Sequence, residues 1–191
     1  MIFENKLPES FEQTLVIEPE RDKKLRLKLD GAAAALGVVL VLLGCLVKNI
    51  GLLFDTAGVL MLILRIVLVS VLCTLSLFAG EHIKCAVIGR VTGKPARVVH
   101  KKFWAYTELR CWIDRRSFLI ISFVPSAAVC LAMLILILAL PEKFFWQCYA
   151  IFIVNLLGTV GDGYIAIMLA KTSGEIRIKN EGLTTYIATE K

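Results

Sequence analysis

The sequence has no Gly-rich phosphate loop and no Cys/His pairs at zinc-finger spacing. These absences remove the common nucleotide-binding and zinc-finger classes. Charge is sparse, at 20% of residues. The formal net charge of +6, from 22 basic and 16 acidic residues, is no sign of nucleic acid by itself. The basic residues flank apolar blocks, so anionic lipid head groups are the expected partner, and nucleic-acid binding is not expected. Six cysteines (Cys45, Cys73, Cys85, Cys111, Cys130 and Cys148) lack the regular short spacing of a secreted disulfide framework. They read as small apolar packing residues. Residues 1–30 are charged and mixed, without an apolar core before a cleavage site, so no signal peptide is expected. The chain also has no internal repeat and no low-complexity segment.

What the chain does have is apolar residues, 58% of 191, against about 45–50% in an ordinary soluble domain. They fall in long blocks, as in a chain whose solvent is lipid. Four spans are predicted, over residues 31–47, 64–88, 117–141 and 144–170. Each approaches the roughly 20 apolar residues needed to cross a core of ~30 Å. In the second, Arg65 and Arg90 are placed at opposite interfaces, where long basic side chains snorkel. The expected fold class is an all-α membrane protein, one integral domain over 1–191, with short β-hairpin segments on the cytoplasmic side. Strand signals lie at residues 11–18, at 96–107 around Lys101 and Lys102, and at 175–187 around Asn180, Glu181 and Gly182.

Lys and Arg set the expected orientation. Residues 1–30 carry six, residues 81–116 nine and residues 171–191 four, whereas the two short connections carry one each, Lys48 and Lys143. Segments 1–30, 89–116 and 171–191 are therefore expected in the cytoplasm, with both termini there and the chain crossing the plasma membrane four times.

Ionisable groups at membrane depth are costly and are functional candidates by default. Glu81, His82, Lys84 and Cys85 lie toward the cytoplasmic end of the second span, and Asp162 is the only charge in residues 144–170. Glu81 and Asp162 each precede a basic residue, Arg90 and Lys171, by nine positions. That is about 13 Å along a helix, so the two carboxylates share a depth. Glu81 and Cys85 are four residues apart, and His82 and Cys85 three, so each pair adjoins on a helix. Carboxylate, imidazole and thiolate all ligate zinc. A plainer reading has Glu81 paired with Lys84, His82 satisfied at the interface, Cys85 packed, and Asp162 either neutral or partnered by Arg65 or Lys84. Gly158, Gly161 and Gly163 thin the helix around Asp162, and Pro125 is expected to kink the third span.

The order of these features resembles a bacterial family of small four-span membrane proteins of the zincin-peptidase type, distantly similar to site-2 proteases, over about residues 23–187. The shared elements are the basic run from Lys23 to Lys28, a ligand motif in span two followed by Gly93, and Trp104-Ala105-Tyr106 in a strand. They continue with Pro125 in span three, Gly161-Asp162-Gly163-Tyr164 in span four, and Glu181-Gly182-Leu183 near the end. The family's His-Glu-x-x-His is degenerate here. With Ala86 and Gly93 in register, Glu81, His82 and Cys85 fall on its three positions. A one-residue shift keeps the glutamate but puts Gly80 and Lys84 where the histidines belong.

In the first register the resemblance implies zinc as cofactor, with Glu81, Cys85 and Asp162 as ligands and His82 as base. Three negative ligands would lower the Lewis acidity of the ion and weaken activation of its water. The expectation is therefore a non-catalytic scaffold, a binder of membrane helices or peptides, with Trp104 and Tyr106 as peptide contacts or interfacial anchors. An active intramembrane metallopeptidase with atypical ligands and a small proton-coupled transporter are the alternatives. The missing two-fold repeat of spans counts against the transporter.

Overall fold

A computed structural model describes residues 3, 4, 6–54, 58–93, 96–101, 104–181 and 184–190. Among these residues, four helical stretches are long and apolar enough to cross a membrane. Helix α1 (Lys23–Val47) begins eight residues before the predicted span, because the Asp22 carboxylate accepts from the Lys24 and Leu25 amides at 2.9 and 3.1 Å. This N-cap satisfies donors that the first turn leaves open, so the charged turn also winds. A short helix, α2 (Gly51–Phe54), follows. Helix α3 (Val59–Thr92) has 34 residues, about 51 Å at 1.5 Å each. That exceeds a ~30 Å hydrocarbon core, so α3 extends beyond it. It ends at Gly93, whose φ of 66° only glycine adopts readily and whose amide bonds the Gly89 carbonyl at 3.0 Å.

Helix α4 (Arg115–Ala139) stops two residues short of Pro141, in keeping with the bias of a pre-proline residue away from helix. The predicted span had run through that proline. A 3₁₀ turn (Glu142–Phe144) leads into α5 (Phe145–Gly158), and α6 (Val160–Lys171) follows. The fourth predicted span is thus two helices, broken at Thr159. There the Thr159 amide bonds the Leu156 carbonyl at 3.1 Å and the hydroxyl bonds it at 2.7 Å.

An all-α class is corrected to a mixed one. Helix accounts for 68% of the fold, and the strand segments join in one six-stranded antiparallel sheet. The strands are β1 (Phe3–Glu4), β2 (Phe11–Ile17), β3 (Arg97–Lys101), β4 (Trp104–Asp114), β5 (Ile176–Glu181) and β6 (Thr184–Glu190). Their order is β1-β4-β5-β6-β2, with β3 also on β4. The physical reason is that an isolated two-stranded hairpin is marginal in water, whereas pooled strands share a buried face. The turn residues Lys102 and Gly182 of the two expected hairpins, and Leu183, lie outside the described residues.

The sheet explains where the core sits. Ile88 of α3, Phe118 and Ile121 of α4 and Leu169 of α6 bury against Leu109, Ile113, Ile176, Ile178 and Ile187 of the sheet. The other sheet face buries Phe11, Trp112 and Ala188, with the Arg177 guanidinium 4.6 Å over the Phe11 ring. Phe11 and Ile17 would share a face in a regular strand. A bulge between Gln13 and Leu15 inserts one residue against β6 and sends them to opposite faces.

The helices bury little among themselves, and their outward residues are apolar. Helix α1 seats on α5 through Gly44, against the rings of Tyr149 and Trp146. The Tyr149 hydroxyl donates to the Leu40 carbonyl at 2.7 Å. At the end remote from the sheet, Lys48 pairs with Glu142 and the Trp146 indole donates to the Asn49 carbonyl at 3.1 Å.

Candidate functional site

The polar residues of α3 and α6 meet near the sheet. Glu81 and Lys84 stand three residues apart on α3, which puts both on one face. The break at Thr159 restarts the helix, so Asp162 falls in the first turn of α6, where the helix dipole favours a carboxylate. The Lys84 ammonium lies 3.3 Å from Asp162 Oδ2 and 3.9 Å from Glu81 Oε1. On the far side of Glu81, the Thr107 hydroxyl of β4 lies 2.7 Å from Oε2 and donates there. The three charged side chains are only 24%, 21% and 19% exposed, for Glu81, Lys84 and Asp162.

This is an ion triad, one ammonium shared by two carboxylates, and it ties α3 to α6 and, through Thr107, to the sheet. Desolvating three charges is expensive, and each here has an opposite charge or a hydroxyl at hand. A cavity of about 60 Å³ adjoins the triad, bounded by Leu77, Gly80, Pro125, Ser126, Asn155 and Gly158. Asn155 of α5 is 5% exposed. Its amide donates to Ser76 Oγ at 2.8 Å and to the Ile151 carbonyl at 2.9 Å, joining α5 to α3 beside the triad.

Of the residues singled out from the sequence, Glu81 and Asp162 are brought together, with Lys84 between them. Cys85 is half-buried and its thiol donates to the Ala96 carbonyl at 3.1 Å. His82 is on the exposed side of α3. Among the described residues no group of three His, Cys, Asp or Glu side chains is placed to hold a metal ion. The donor chemistry agrees with that geometry. A divalent ion set between Glu81 and Asp162 would stand against the Lys84 ammonium, so this arrangement does not fit one. Tyr106 is half-buried and pairs with Val99 across the β3–β4 ladder. Trp104 pairs with Lys101 in the same ladder, and its side chain lies outside the described residues.

Two members of the site escape sequence reasoning. Thr107 carries no signal, since its role depends on β4 passing α3. Asn155 had one, being an amide in an apolar block seven residues, or two helical turns, before Asp162.

No protein-family model, curated protein or solved structure matches the chain.

Proposed function

We propose that the chain is a non-catalytic, multi-pass protein of the bacterial cytoplasmic membrane that binds membrane helices or peptides, built on the zincin-peptidase plan with an altered metal motif. Both termini and the sheet face the cytoplasm, because the basic residues cluster in the segments that form the sheet. The observation that carries the non-catalytic reading is the position of Lys84. A tethered ammonium neutralises the two carboxylates that a metal would otherwise bridge. A zincin reaction needs a metal-bound water and a base beside it. Here Cys85 is engaged with Ala96, and His82 is exposed. The site retains the shape of a polar cluster and uses it to fix the helices under the sheet.

Metal content tests this. The protein is purified in mild detergent without chelator, and zinc is counted by inductively coupled plasma mass spectrometry, alongside Cys85→Ala and Asp162→Asn. Substoichiometric zinc in all three, also after zinc is offered and washed away, is expected. Stoichiometric zinc in the native chain, lost in both variants, would overturn the reading and point to the metallopeptidase.

A further inference from the structure

We infer that the open edge of β2 is a docking site for an extended, basic juxtamembrane segment of another membrane protein, which adds a strand to the sheet. This rests on the proposed non-catalytic, peptide-binding reading and gives it a place and a partner chemistry.

Among the described residues, strand β2 ends the sheet order, with β6 on one side only. Edge strands are normally guarded by charge, proline or shortness. Strand β2 has seven residues and no charge or proline between Glu12 and Glu18. A groove of about 730 Å³ lies at the end of β2, lined by Leu15, Val16 and Ile17, by Glu18, Arg21 and Asp22 of the turn into α1, and by Leu25 and Tyr164 of the helices. Leu15 and Val16 are 38% and 40% exposed along it.

Charge selects the occupant. Residues 9–22 hold five acids (Glu9, Glu12, Glu18, Glu20 and Asp22) and one base, Arg21, which pairs with Glu18 at 3.2 Å and leaves the segment four net negative charges in a chain whose net charge is +6. A second copy of β2 is a poor fit. Antiparallel self-pairing centred on Leu15 sets Glu12 against Glu18, and centred on Val16 it sets Glu12 against Glu20, while pairing centred on Thr14 opposes no two acids directly but still gathers the ten acids of two copies along one seam. Like charges directly opposite are destabilising. A strand with apolar residues at its centre and Lys or Arg at its ends is complementary. Such segments are common where membrane helices leave the cytoplasmic face, the face to which the sheet is assigned.

The full chain, in nanodiscs of zwitterionic lipid, is titrated with a fluorescein-labelled peptide, Lys-Val-Thr-Val-Thr-Val-Lys, and with its Glu-ended twin, reading anisotropy. The Lys-ended peptide binds at least about tenfold tighter, and Glu12→Lys/Glu18→Lys reverses the preference. N-methylation at alternate peptide residues abolishes binding in one of its two phases only, because just one edge of the peptide meets β2. Equal binding of both peptides, no binding, or indifference to N-methylation in both phases overturns the edge site. The last of these would mean adhesion by charge alone. Self-association that the peptide does not disturb also overturns it, in favour of a second copy. Substoichiometric zinc with no peptide binding sinks this site alone, whereas stoichiometric zinc sinks the reading beneath it.

Discussion

Replacing Lys84 by Met keeps the length of the side chain and removes its charge. Glu81 retains Thr107, but Asp162 loses its cation at 3.3 Å. At an effective dielectric of about 20, separations of 3.3 and 3.9 Å correspond to gross attractions of about 5 and 4 kcal/mol. Most of this is offset by the desolvation of three charges. Removing one partner reverses only part of that cost, because both carboxylates stay behind. With the groups about a fifth exposed, the net loss should be about 2–3 kcal/mol, less than the roughly 3–5 kcal/mol of a fully buried pair.

The assay is unfolding of the detergent-solubilised protein, followed by the accessibility of its buried cysteines to a thiol dye. Lys84→Met is expected to unfold well before the native chain. The double variant Lys84→Met/Asp162→Asn, which removes the orphaned charge, should recover a large part of the loss. This non-additivity is the signature of an ion pair rather than of packing alone. If Lys84→Met equals the native chain in stability, or if adding Asp162→Asn makes it worse, the triad does not hold α3 to α6.

Two further predictions concern the helices. A Cβ at Gly44 would collide with the Tyr149 ring and lie 3.1 Å from Trp146, so Gly44→Leu should cost at least about 2 kcal/mol and expose Tyr149 in fluorescence quenching. Asn155→Leu removes its bond to Ser76 of α3 and its bond to Ile151 within α5. It should lower stability by about 1 kcal/mol in the same dye assay, and Asn155→Gln should not restore it, since the longer amide cannot keep both partners.

Much of the architecture was legible because lipid imposes long apolar blocks and turns impose their own residue types. The spans were found to within a few residues at most ends. Where they failed, the cause was local, a cap at Asp22, a proline at 141, a break at Thr159. The strand at residues 11–17 and the hairpins that pair β3 with the start of β4 and β5 with β6 were recognised from alternation and turn chemistry, whereas β1 and the length of β4 beyond residue 107 were not. Their union in one sheet was not, because pairing between distant segments leaves no mark in either one. The triad was half legible. Helical spacing gave the Glu81–Lys84 pair, and matched depth put Asp162 near it, but spacing alone did not choose between lysine and metal as the cation. Thr107 and the Cys85–Ala96 bond depend on how the sheet lies against α3, which only the folded chain reveals.

The pairing of β2 with β6 carries a consequence for the timing of biogenesis. Phe11 sits opposite Glu190, 179 positions later in the chain. At a synthesis rate of about 5–20 residues per second, β2 emerges roughly ten to thirty seconds before its partner exists. Throughout that interval four helices are being threaded into the bilayer, while a seven-residue strand waits with neither side of its backbone paired. The β1–β4 and β3–β4 pairings can form before α4 exists, whereas the pairing of β2 with β6 is in effect a late latch, which closes only after the last helix has been made.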